Sequence, residues 1–204
     1  MKATDNPKVS TATTHSSYGF SVIELVITLA LLAVMLTVAA PAFTNIFENN
    51  ALAGTANRFI TSLALARSEA ISRNRSVTMC RLNASNNGCA SNGNWEDGWI
   101  IWADVDGDGT LEATNQDGDV EVINAEEALG TGYTLRALNN QFTNRITFSP
   151  IGEATGNGGN QQEIFRLCDP DNDSDKARLI YLNGVGNAWV NRNSGSTSSA
   201  TDCP

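Results

Sequence analysis

The residues whose types and spacing could do chemistry fall into small groups. Four cysteines, Cys80, Cys89, Cys168 and Cys203, accompany a single histidine, His15. An even number of cysteines with no C-x-x-C pair suits disulfides in an oxidising compartment better than a zinc site. Four cysteines allow three connectivities. Cys80 and Cys89 flank a short loop rich in Asn, Ser and Gly, and a bond between them would close it at a gain of roughly 2–3 kcal/mol in chain entropy. The expected pairs are therefore 80–89 and 168–203, the second pinning the C-terminus to a strand. Asp104, Asp106 and Asp108 occupy positions 1, 3 and 5 of an EF-hand-like loop with Gly109 at position 6. Calcium is the cofactor such a loop could take, and residues 96–127 hold 11 acids and no base. Position 12 carries Asn115 instead of a bidentate Glu, so a turn held by Asx hydrogen bonds is the competing reading. A second run, Asp169, Asp171, Asp173 and Asp175, lacks a glycine and reads as a solvated loop. Arg58, Arg67, Arg73, Arg75 and Arg81 read as partners for acidic loops or for neighbouring subunits. Trp95, Trp99 and Trp102 read as packing residues. With no nucleophile–base pair, phosphate-cradling loop or metal-ligand cluster, an enzyme is not expected.

The elements that must position these groups begin with an apolar run. Residues 20–43 contain one charge, Glu24. As a helix, these 24 residues span about 36 Å, enough to cross a ~30 Å hydrocarbon core. Lys2 and Lys8 precede the run, which places residues 1–19 in the cytoplasm and the rest outside. A carboxylate within a membrane helix costs about 2.5–3.5 kcal/mol and needs a partner, yet residues 20–43 hold no Lys, Arg or His. Cleavage after Gly19 would create that partner, an ammonium on Phe20 able to pair with Glu24 of an adjacent subunit. A secretory signal peptide cut near Ala40-Pro41-Ala42 and an unprocessed anchor are the alternatives, although the run is longer than a usual signal-peptide core.

Beyond Pro41, where a bend is expected, apolar residues at 52, 56, 59, 60, 63, 66 and 70 predict an amphipathic helix over about 48–75. Alternating short runs predict strands at 77–81, 99–103, 120–123, 133–137, 145–148, 164–168, 178–182 and 188–190. No further helices are available for parallel crossovers, so the class is α+β, a helical spine on an antiparallel sheet. The chain has 204 residues, 41% hydrophobic and 17% charged, with a net charge of -9 and a pI near 4.5. That composition excludes a disordered polyelectrolyte and argues against a chain-wide nucleic-acid footprint.

The segment Gly19-Phe20-Ser21-Val22-Ile23-Glu24-Leu25 closely resembles the type IV prepilin processing motif: a Gly before the cut, an aromatic first residue, and a Glu fifth in the mature chain. Residues 65–74, Val77-Thr78-Met79-Cys80, Cys89 and residues 95–104 resemble the GspH/FimT group of pseudopilins. The resemblance implies a type IV pilin-like fold and a minor pseudopilin of a type IV pilus or type II secretion pseudopilus. It further implies a prepilin leader over 1–19, a membrane-spanning assembly helix over 20–48 and a periplasmic domain over 49–204. Prepilin peptidase would cut after Gly19, and Phe20 would be methylated. The subunit would sit in the bacterial inner membrane by a single span before joining other pilins or pseudopilins. The Cys80 and Cys89 arrangement leans toward the FimT-like side of the group. FimT-like members are implicated in DNA uptake through a Gly-Arg-x-Arg motif. The corresponding stretch here runs from Gly184 to Arg192 and leaves only Arg192, with Arg178 nearby, as candidate DNA contacts. Loss of residues 1–19 leaves 11 basic and 21 acidic residues, a net charge of -10, which opposes a DNA partner.

Overall fold

The computed structural model describes residues 19–85, 88–104, 111, 120–156, 159–160, 162–192 and 203; within these, the side chains at 38, 40–42, 45, 104, 120, 159 and 160 fall outside the description. Helix α1 covers Val22–Arg73. The chain divides into two compact units, Met1–Thr44 and Asn45–Pro204. In the first unit the helix opens with Ser21, whose hydroxyl accepts the amide of Ile23 at 3.3 Å. Thr28 and Thr37 donate their hydroxyls to the carbonyls of Leu25 and Val34, at 2.8 and 2.7 Å. These bonds satisfy both hydroxyls within the helix. Pro41, the expected site of a bend, is among the residues whose side chains lie outside the description.

In the second unit the helix buries one stripe: Leu52, Ala56, Phe59, Leu63, Ala66 and Ala70. The alternating steps of four and three residues keep them on one face of a 3.6-residue repeat. The helix ends two residues earlier than expected. Asn74 adopts φ 53°, its amide bonds Ile71 O at 3.3 Å, and the amide of Arg75 bonds Ala70 O at 3.2 Å. This is a Schellman termination, for which Asn is among the few residues that tolerate the left-handed conformation.

The strands follow as β1 Val77–Arg81, β2 Trp99–Asp104, β3 Val120–Glu126, β4 Thr134–Ala137, β5 Arg145–Phe148, β6 Ala154–Gly156, β7 Gly159–Asn160, β8 Glu163–Cys168, β9 Arg178–Leu182 and β10 Ala188–Arg192. They form two antiparallel sheets where the sequence suggests one. The first has the order β3-β2-β1-β5-β6-β7, the second β10-β9-β8-β4. Strands β6 and β7 escape a periodicity reading because Ala-Thr-Gly and Gly-Asn carry no alternating pattern. Their extended form comes from pairing with β5 and with each other.

The main core joins the α1 stripe to both sheets. Phe59 stands edge-on to Trp95, Trp99 and Phe165, with ring centroids at 5.6, 5.1 and 5.0 Å, the geometry favoured by aromatic quadrupoles. Strand β2 is buried on both faces. Trp99, Ile101 and Ala103 enter the main core, whereas Ile100 and Trp102 join Cys80, Leu82 and Leu111 in a smaller cluster. A register shift between Ile101 and Trp102 interrupts the pairing of β2 with β3.

Candidate functional site

Among the described residues, the N-terminal part of α1 carries the largest run of exposed apolar side chains. Phe20 is 82% exposed, and every large apolar side chain from Val22 to Leu36 is more than half exposed. These residues fall on every side of the helical repeat, so the apolar surface surrounds the helix. Such a helix is stable only inside an apolar medium or a bundle of other helices. Glu24 lies in the first turn, where a carboxylate complements the helix dipole, and it makes no ion pair within the described chain. Among the described residues no helix is long and apolar enough to cross a membrane.

The cysteines are bonded as Cys80–Cys89 and Cys168–Cys203, with Cα–Cα distances of 5.5 and 6.0 Å. The first bond closes the excursion that leaves β1. A bridge between Leu82 and Cys89 completes the same small loop. The second ties residue 203 to the end of β8, and the amide of Cys203 donates to Ser174 Oγ at 2.9 Å.

The arginines along α1 and β1 are engaged inside the fold. Arg58 lies 3.6 Å from Glu126 and 5.4 Å above the Trp99 ring. Arg67 donates to Gly152 O at 3.1 Å and to Asn187 Oδ1 at 2.8 Å. Arg73 pairs with Glu69 and Glu121, and the hydrogen bond from Arg73 draws the Glu121 carboxyl below its ordinary range. Arg81 is buried, donates to the carbonyls of Gly93 and Ser91 and to Asn144 Oδ1, and is pushed down in pKa by that burial.

The two candidate DNA contacts are register partners on β9 and β10, but only one of them is exposed. Arg178 is only 6% exposed. Its guanidinium donates to the carbonyls of Lys176 and Ala177 and to Asn49 Oδ1. Burial first, and then the charge of Arg192, lower its pKa. Arg192 is exposed on the strand opposite. In the corresponding stretch, Gly186 serves packing. Its φ is 78°, and a Cβ there would stand 2.1 Å from Gly152 O. The calcium loop is placed only in part: Asp104 closes β2 with its side chain outside the description, and Asp106 and Asp108 lie outside the described residues.

Two carboxylates matter more to the fold than their sequence context suggests. Glu163 is buried and accepts the amides of Asn139, Gln141, Phe142 and Ile164 at 2.6 to 3.2 Å. The inward phase of β8 is the sequence signal for it, and the expected strand began one residue too late to include it. Asp169, read as part of a solvated loop, is 1% exposed. That burial is set by tertiary neighbours, which local composition does not report.

The family described as Type II transport protein GspH matches residues 55–186. No curated protein matches in sequence. Among solved structures, the type IV minor pilin FimU of Pseudomonas aeruginosa aligns with a TM-score of 0.50 at 17% identity, covering 78% of this chain and 96% of that one. This likeness shows a shared fold. The minor pseudopilin EpsH from the Type 2 Secretion System of Vibrio cholerae aligns with a TM-score of 0.46 at 13% identity, over 69% of this chain and 96% of that one.

Proposed function

The chain belongs to the GspH family, and we propose that it works as a minor subunit cut after Gly19, methylated at Phe20 and built into a type IV pilus or a type II secretion pseudopilus. As a member of that family it is a pseudopilin-type structural subunit, not an enzyme. The observation that carries the finer reading is the junction of Gly19-Phe20 and Glu24 with a helix whose apolar side chains face outward on all sides. In the inner membrane that surface is solvated by lipid, and in the filament by helices of other pilins or pseudopilins. The aqueous domain then lies in the periplasm.

The chemistry of assembly is a charge match. Prepilin peptidase releases a primary amine on Phe20, cationic at neutral pH, and its single methylation gives a secondary amine that keeps that charge. In a low-dielectric bundle, a lone carboxylate at Glu24 is costly, whereas a pair with the Phe20 ammonium of a neighbour is favourable. The pair therefore sets the axial register between adjacent helices.

Mass analysis of the processed chain tests the first half of this reading: the mature species should begin at Phe20 and carry one methyl group. Glu24→Ala tests the second. The variant should insert and be processed normally but be missing from sheared filaments or cross-linked pseudopili. An N-terminus elsewhere, or full incorporation of Glu24→Ala, would overturn it.

A further inference from the structure

We propose that Glu48, Asp169 and Asp171 form a binding site for a hard divalent cation of the calcium type, for which the ammonium of Lys176 is a built-in competitor. Each of these three residues offers a carboxylate oxygen, and the three oxygens lie within 4.8 Å of one another. Oxygens bound at 2.3–2.6 Å to a single calcium ion are at most about 5 Å apart, so the group can close on one ion with little movement. The shorter bonds of magnesium, about 2.0–2.1 Å, demand a tighter set.

The second observation is the state of Asp169. The residue is 1% exposed, and its Oδ2 has no hydrogen-bond partner. Its Oδ1 accepts the amide of Asp173 at 3.0 Å, which fixes the orientation of the carboxylate. The orphaned Oδ2 faces the same point as Glu48: Lys176 Nζ is 2.8 Å from Glu48 Oε2 but 4.0 Å from Asp169 Oδ2. At 4.0 Å the ammonium is too far to hydrogen-bond. Asp173 Oδ2 is also near Lys176, at 3.7 Å. One ammonium thus stands within 4.0 Å of three carboxylates, Glu48, Asp169 and Asp173, and the most buried of them is the least well served. A buried carboxylate oxygen without a donor is costly, and a divalent cation supplies the missing partner and charge together.

The frame around the cluster is firm. Glu48 is carried by α1. Asp169 follows Cys168, whose disulfide to Cys203 anchors the start of the loop. Ser174, further along the loop, accepts the amide of Cys203. An ion held here would fasten the helix to the loop that joins β8 to β9.

The test is calcium titration calorimetry on the full chain in detergent, with thermal melting as a second readout. Wild type should bind with the affinity of extracellular modules, Kd about 10⁻⁴–10⁻³ M, and its melting temperature should rise with calcium. Asp171 is exposed, so Asp171→Asn should fold normally, and it should weaken binding at least about ten-fold. Lys176→Gln should tighten binding by removing the competitor. Asp106→Asn should leave this site unchanged. The proposal is overturned if wild type gives neither heat nor a melting shift at about 10 mM calcium, well above the range for such modules. It is equally overturned if binding survives Asp171→Asn but is lost in Asp106→Asn, or if Lys176→Gln leaves the affinity as it was.

Discussion

Glu163 shows how much one side chain can organise. Its two oxygens collect four backbone amides, three of them from the turn at 139–142. Hydrogen bonds to a charged acceptor are worth about 1.5–3 kcal/mol each, and the orphaned donors carry a further penalty. These effects do not add simply, so Glu163→Ala is expected to destabilise by at least ~3 kcal/mol. In a domain of this size the melting temperature should fall by roughly 6–12 °C. Glu163→Gln keeps one acceptor oxygen and should lose distinctly less. Circular dichroism melting of the two variants checks the ranking; equal losses would mean that charge and acceptor count are irrelevant at this site. Arg178 teaches the converse. A sequence offers it as a surface cation, but Asn49 and two carbonyls of its own neighbourhood hold it at 6% exposure.

At the scale of elements, α1 performs two separate tasks along its length. The second unit's portion displays a stripe at alternating steps of four and three and feeds Phe59 into an aromatic cluster. The first unit's portion is apolar on every side and has no stripe. The disulfides act on other elements. Cys168–Cys203 spans 35 positions, and the chain-entropy estimate for such a loop is ~4 kcal/mol. The double variant Cys168→Ser/Cys203→Ser should therefore lower stability by up to that amount. It should also leave residue 203 open to carboxypeptidase, because its covalent tie to β8 is gone. Denaturant unfolding and limited digestion check both effects. Undiminished stability would mean that the hydrogen bond to Ser174 already holds the terminus.

For the whole molecule, the chain divides between Thr44 and Asn45, which is where the proposed function would pass from a lipid or helix-bundle surrounding to water. Among the described residues, every buried apolar side chain lies within 45–204, so this fragment is expected to melt cooperatively as a monomer in plain buffer. The chain from Phe20 to Pro204 should need detergent, since its exposed apolar helix drives self-association. Size-exclusion chromatography of the two forms checks this. Association of the shorter fragment would locate the sticky surface in the β domain.

What the sequence determined by itself was everything with a short repeat length. The α1 stripe, the eight longer strands and the Gly19-Phe20…Glu24 pattern all depend on residues close together in the chain, whereas the sequence left three cysteine connectivities open and the fold shows 80–89 with 168–203. Tertiary structure alone decided which strands share a sheet, that β6 and β7 exist, and that Asp169 and Arg178 are buried. These outcomes depend on partners far away in sequence: β4 pairs with β8, β1 with β5, and Glu48 meets Lys176. Periodicity reports which face of an element is apolar. The burial of a particular charge depends on what that face meets, and the chain settles this only when it folds.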